Sequence, residues 1–247
     1  MKAKASRFID WRKTMKYIVV LGDGMADEPV GEIGGMTPLE YAKTPAMDSI
    51  ALKSEIGLVH TIPEGMKPGS DTANLAVLGY NPEKYYTGRS PLEALSIGVP
   101  MKDTDIAIRC NIVTLSDDNL PYGEKTITDH SSSEISTEDA AILMEAVQKE
   151  LNSDIYQFYV GTSYRHLTIW DKGEVTELTP PHDILGRVIG EYLPEDARLR
   201  EMMEKSYDIL NNHPLNVERA KKGLNKANSI WFWGAGTRPA LDSFEGR

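Results

Sequence analysis

Lys16-Tyr-Ile-Val-Val-Leu-Gly-Asp-Gly-Met-Ala-Asp27 is the stretch on which the reading of the fold turns. Its unbroken apolar run suits a strand buried on both faces of a parallel sheet. The run stops at Asp23, held between two glycines. That places an acid at the carboxyl end of the strand, where open α/β sheets bind their ligands, and makes Asp23 a candidate metal ligand. The plainer alternative is a turn aspartate. Gly22-Asp-Gly also resembles the start of a dinucleotide loop, but no full G-x-G-x-x-G follows, so a nucleotide is discounted.

A second stretch, Lys67-Pro-Gly-Ser-Asp-Thr-Ala-Asn74, puts a hydroxyl at the mouth of a helix. Pro68 and Gly69 break the chain, Leu75, Val77 and Leu78 follow at helical spacing, and Gly79 stops the run. Ser70 thus meets free backbone N–H groups and the positive dipole end, which favour an anion such as phosphate. Taken alone it reads first as an ordinary N-cap serine.

Around these two stretches strand and helix alternate. Thr37-Pro-Leu-Glu40 and Ser90-Pro-Leu-Glu93 read as capping boxes that each begin a helix, and Thr44-Pro45 opens another. Residues 56–62 read as a strand leading toward Ser70. The pattern predicts a doubly wound, mostly parallel α/β sheet. From about residue 105 the character changes. Ile106, Ile108, Cys110 and Ile112 alternate as in a half-exposed strand, and a helix is predicted from about Ser136. Strands follow at residues 155–160 and 167–170, and the whole reads as an inserted α+β unit. A return helix over about 195–210 and a last strand at residues 229–233 would rejoin the first sheet.

Composition bounds the function. With 247 residues and 40% hydrophobic content there is material for a sizeable core, and the formal net charge of −10 argues against nucleic-acid or anionic-membrane binding. The single cysteine, Cys110, excludes an internal disulfide, and no apolar stretch is long enough to span a bilayer; a cytoplasmic location is expected. Residues 1–14 carry Lys2, Lys4, Arg7, Arg12 and Lys13 without an apolar core, so they are read as a disordered leader rather than a signal, with Met15 as the natural start.

The ordered set Gly22-Asp-Gly24, Gly69-Ser-Asp-Thr-Ala-Asn74, Tyr86-Thr-Gly-Arg-Ser-Pro-Leu-Glu-Ala94, Arg109-Cys-Asn-Ile-Val-Thr-Leu115, Asp129-His-Ser131, Ser163-Tyr-Arg-His-Leu167, Pro180-Pro-His-Asp-Ile-Leu-Gly186 and Trp231-Phe-Trp-Gly-Ala-Gly236 closely resembles the archaeal-type cofactor-independent phosphoglycerate mutases of the alkaline phosphatase superfamily. The resemblance runs from about Met15 to about Ser243. It implies an isomerase of glycolysis and gluconeogenesis that interconverts 3- and 2-phosphoglycerate through a phosphoserine. Two divalent metal ions (manganese, magnesium or zinc) are implied, without 2,3-bisphosphoglycerate. On this resemblance residues 15–104 are the first part of the catalytic core, 105–192 an inserted cap domain, and 193–247 a return helix and core strand.

The same resemblance makes Ser70 the phosphoryl acceptor and, with Asp23, a metal ligand. His130 becomes a proton shuttle between hydroxyls, and Arg165, Arg109, Arg89 and Arg238 become substrate contacts. Without it each arginine reads as a surface ion pair, and His166, His182 and Asp183 read equally as structural. The family's later Asp and His ligands find no counterpart here, so the core is expected to be incomplete at the carboxyl terminus and the chain poorly active by itself. Two other functions fit the same residues: another metal-dependent phosphomutase or phosphomonoesterase, and a non-enzymatic phosphometabolite-binding protein.

Overall fold

A computed structural model of the chain describes Lys16, residues 18–22 and residues 24–244. The expected leader (residues 1–14), Met15 and the candidate ligand Asp23 lie outside the described residues. Those that are described fall into two units, one up to Val59 and one from His60 onward.

The first unit holds two short helices, α1 (Pro38–Tyr41) and α2 (Pro45–Ala51), after a 3₁₀ turn at Gly31–Ile33. Thr37 forms the predicted box: Glu40 N–H donates to Thr37 Oγ1 at 3.2 Å, and Thr37 N–H donates to Glu40 Oε2 at 2.8 Å. Among the described residues of the expected first strand, none lies in a strand. Ile18 and Val20 are 83% and 90% exposed, and residues 56–62 are likewise outside any strand. A strand apolar on both faces needs pairing on its edges and cover on its faces, and among the described residues no strand runs beside either segment.

The second unit carries the sheet. Its helices are α3 (Ser70–Val77), α4 (Pro82–Tyr85), α5 (Arg89–Ser96), α6 (Thr137–Leu151), α7 (Ala197–Leu210) and α8 (Pro214–Lys221). Its strands are β1 (Ile106–Leu115), β2 (Ile127–Asp129), β3 (Tyr156–Thr162), β4 (Arg165–Trp170) and β5 (Ser229–Thr237). β1 pairs with β4 on one side, with β3 beyond it. On its other side β5 takes residues 106–113 and β2 the end at Thr114 and Leu115. Every pairing is antiparallel, so the described sheet is a mixed α/β arrangement without the parallel order expected. The strand at residues 229–233 was expected to rejoin a parallel sheet. It pairs instead with β1, Cys110 opposite Phe232 and Ile112 opposite Ile230.

β1 is buried along all of its length, not half-exposed. Ile106, Ile108, Cys110 and Ile112 face the main core with residues of α6 and α7, while Ala107 packs with Ala94 of α5 and Leu167 and Ile169 of β4. Alternation still separates the two faces, but helices cover both. α6 starts where expected, and Ser136 is its cap, with Oγ accepting from Asp139 N–H at 3.1 Å. α7 is capped by Asp196 and begins at Ala197, two residues later than its periodicity suggested. α8 has no counterpart in the sequence reading; Pro214 begins it, and His213 Nδ1 accepts from Leu215 N–H at 3.3 Å. Among the described residues no helix is long and apolar enough to cross a membrane.

Candidate active site

α3 begins at Ser70, with Gly69 as N-cap, so Ser70 occupies the first helical position rather than the cap itself. Its side chain is exposed on a cleft of about 690 Å³ whose lining includes Asn74, Arg89, Glu93 and Arg109. Thr72 and Leu75 are the buried residues of the helix. Asp71 accepts from the Tyr86 hydroxyl at 2.6 Å, and burial first, then this carboxylate, push the Tyr86 phenol up.

Arg89 and Arg109 reach the cleft by different routes. Arg89 opens α5 directly after Gly88, whose φ of 129° suits only glycine. A Cβ on Gly88 would lie 2.8 Å from Ala235 O, and one on Gly236 would lie 2.2 Å from Thr87 O. The two glycines therefore let the start of α5 lie directly on β5. The predicted capping box at Ser90 is not formed, because both members have distant partners: Ser90 Oγ–H donates to Gly234 O, and Glu93 binds Arg109.

Arg109 stands on the α5 face of β1, 8% exposed, and both Glu93 oxygens accept from it, Nη2 to Oε1 at 2.9 Å. A charge in an otherwise apolar central strand needs such a counter-charge. The guanidinium also lies 4.7 Å from the Trp233 ring centre, with that of Arg89 at 5.8 Å. Trp233 is fixed by its Nε1–H, which donates to Asn111 Oδ1 at 3.0 Å.

From the same indole a chain of edge-on rings leads to His130. His182 is 5.3 Å from Trp233, His130 is 6.3 Å from His182, and Tyr164 is 5.8 Å from His130. Arg165, exposed at the start of β4, lies 5.2 Å from the Tyr164 ring. It lines a further cleft of about 330 Å³ that shares Glu93, Ser96 and Arg109 with the one at Ser70. Asp129, beside His130, is well bonded. Burial opposes its ionisation, but the Ser131 N–H, the Asn225 amide and the Ser133 N–H outweigh this and hold the carboxyl below its usual range.

Of the residues singled out by sequence, Ser70, Arg89 and Arg109 share one cleft, Arg165 borders the adjoining one, and His130 is linked to them through His182 and Trp233. Arg238 is not drawn in: it is exposed and donates to Asp103 at 2.7 Å. Asp23 lies outside the described residues. Among those described, no three Asp, Glu, His or Cys side chains gather where a cation could sit. They do not by themselves fit a two-metal site. Glu93, Trp233 and Asn111 were missed, although an arginine inside Ile108–Ile112 signals a hidden carboxylate partner.

A sequence profile described as 2,3-bisphosphoglycerate-independent phosphoglycerate mutase matches residues 51–216. A Geobacter sulfurreducens protein named probable 2,3-bisphosphoglycerate-independent phosphoglycerate mutase is 49% identical over 234 residues, covering 93% of this chain and 58% of its own length. The Methanosarcina barkeri enzyme of that name is 48% identical, covering 93% and 57%. Among solved structures, the PH0037 protein of Pyrococcus horikoshii superposes with a TM-score of 0.65 at 30% identity, covering 89% of this chain and 50% of that one. The cofactor-independent phosphoglycerate mutase of Thermoplasma acidophilum gives 0.50 at 27%, covering 90% and 59%. The chain thus spans little more than half the length of the relatives it matches.

Proposed function

This chain belongs to the 2,3-bisphosphoglycerate-independent phosphoglycerate mutase family, and on that premise we propose that it serves the interconversion of 3- and 2-phosphoglycerate with Ser70 as the phosphoryl carrier. The observation that carries the proposal is the exposed Ser70 hydroxyl at the start of α3, on the cleft that Arg89 and Arg109 line. Ser70 Oγ attacks phosphorus as the bond from phosphorus to the glycerate oxygen breaks; the serine proton leaves and the glycerate oxygen is protonated. The free glycerate turns, its other hydroxyl attacks the phosphoserine, and that hydroxyl's proton is taken up as Ser70 is regenerated.

In this reading His130 carries the proton between the two glycerate hydroxyls. Arg89 and Arg165, both exposed, present open guanidinium forks to carboxylate and phosphate. Arg109, with Nε and Nη2 engaged by Glu93, forms with it part of the wall of both clefts. Arg238, paired with Asp103, has no part. Retention of the glycerate distinguishes a mutase from a phosphatase, and clefts on both sides of Glu93 and Arg109 give it room to turn.

Divalent metal ions, manganese, magnesium or zinc, belong to the proposal as the family's Lewis acids. Ser70 would be one donor, and the others would come from outside the described residues, Asp23 included. The finer architecture is proposed likewise: a doubly wound, parallel, alkaline phosphatase-like core that includes residues 15–104 and the return segment from residue 193. Residues 105–192 form its inserted cap, and the protein works in the cytoplasm.

Because the chain is expected to turn over poorly by itself, the test is a single-turnover, acid-quenched reaction of the chain in molar excess over ³²P-labelled 3-phosphoglycerate with manganese. Label is expected in the peptide containing residue 70, with none in Ser70→Ala and little inorganic phosphate released. Label on another residue, or absence of any label on protein, would end the proposal; rapid phosphate release would reassign the chain to the phosphomonoesterases.

A further inference from the structure

We infer that Asp129 is a positioning residue for His130, closing a left-handed arch that aims the imidazole; this rests on the proposed role of His130 as proton carrier. The arch is Ser132, Ser133 and Glu134, with φ of 52°, 58° and 49°. In that region a side chain crowds the following carbonyl, and L-residues other than glycine, asparagine and aspartate visit it rarely. Three in succession persist only where the surroundings over-determine them, and such segments cluster at functional sites.

Here the surroundings do so from three directions. Asp129 Oδ1 accepts from Ser131 N–H at 2.8 Å and Ser131 Oγ–H at 2.9 Å, and Oδ2 accepts from Ser133 N–H at 2.6 Å and the Asn225 amide at 2.8 Å. From beneath, Arg219, 4% exposed, donates to Ser132 O at 2.6 Å and to Asp139 Oδ2 at 3.1 Å. From the β3–β4 hairpin, Ser163 Oγ–H donates to Ile135 O at 2.6 Å and Ser163 N–H donates to Thr137 Oγ1 at 3.0 Å.

Helix α6 does not require this construction, since Ser136 already caps it. The arch instead fixes the backbone on which His130 stands, between Asp129 and Ser131, both anchored. Through Ser163 it locks the neighbouring Tyr164, whose ring meets His130 at 5.8 Å, in the same frame. Asp129 thus acts through His130 without reaching the cleft residues itself.

The experiment measures the nuclear Overhauser contact between the His130 and Tyr164 rings, the unfolding temperature, and turnover of 3-phosphoglycerate. It compares the chain with Asp129→Asn, Ser133→Gly, His130→Gln and their doubles. Asp129→Asn is expected to lose the ring contact. Adding Ser133→Gly, which takes positive φ without crowding, should recover unfolding temperature but not the contact. Turnover should fall by roughly a hundredfold in kcat with KM little changed, and Asp129→Asn should add nothing to His130→Gln. A contact that survives in Asp129→Asn, or losses that add in the double variant, would overturn the inference. Full turnover in His130→Gln would instead remove the proton role of His130, while the ring contact still decides the positioning. Should Asp129→Asn alone not fold, its double with Ser133→Gly carries the comparison.

Discussion

Glu93 holds Arg109 through both carboxylate oxygens, and the same guanidinium lies 4.7 Å from the centre of the Trp233 ring. Helix α5, the central strand and the last strand therefore meet at one charge. Arg109 lines both clefts with two of its three guanidinium nitrogens engaged by Glu93, while Arg89 and Arg165 are exposed.

Glu93→Gln would leave this guanidinium without a counter-charge in a site that is largely buried, at a cost of about 3 kcal/mol. The urea midpoint should fall accordingly, and the quenching of Trp233 fluorescence should change as the cation moves. An unchanged midpoint would show that the pair contributes nothing.

Gly236→Ala tests the docking of α5 on β5. Its methyl would meet Thr87 O at 2.2 Å and Gly88 Cα at 2.8 Å, backbone atoms that cannot turn aside. Overpacking of this kind costs about 1–3 kcal/mol, and Arg89 should be displaced with the helix. Calorimetry and the reactivity of Arg89 toward phenylglyoxal read the two effects, and an unaffected Arg89 would count against the docking.

His166 makes stability depend on pH. It is 1% exposed on β4, Nδ1 accepts from Gly161 N–H at 3.1 Å, and burial pushes its imidazole down to about 3. The folded chain keeps it neutral while the unfolded chain protonates it near pH 6.5, so its contribution is present above that pH and lost as pH falls toward 3. Between pH 7 and pH 5 this amounts to about 2 kcal/mol. Urea titrations at the two pH values should differ by that much more in the native chain than in His166→Asn.

Asn228→Ala tests the junction where the β2 and β5 pairings of β1 part. Asn228, fully buried, accepts from Leu115 N–H at 2.7 Å and donates to Leu115 O at 3.0 Å and Asn211 Oδ1 at 3.1 Å. Its loss strands a buried backbone N–H and C=O, a cost of about 2–3 kcal/mol. Hydrogen exchange should quicken first at Leu115, and unaltered protection there would refute the assignment.

The motif order alone placed this chain in its family, and features governed by neighbours two to four residues away were legible in it: the Thr37 box, the start of α6 near Ser136, and the alternation of β1. The convergence of Ser70, Arg89 and Arg109 was implied by family likeness and not by any spacing. Glu93 was misread because Ser90-Pro-Leu-Glu93 satisfies a local rule, yet a buried guanidinium on another element is the stronger partner for its carboxylate.

By itself, then, the sequence determined which segments can coil, where most helices begin, and which chemistry-bearing residues are present. Tertiary structure alone decided that residues 229–237 pair with β1, that β1 is covered on both faces, and that two arginines and His182 gather around Trp233. The reason is one of range. Caps and periodicity are settled among adjacent residues along the chain, whereas strand partnership and the neutralisation of a buried charge are decided between segments whose separation in sequence carries no record of their contact.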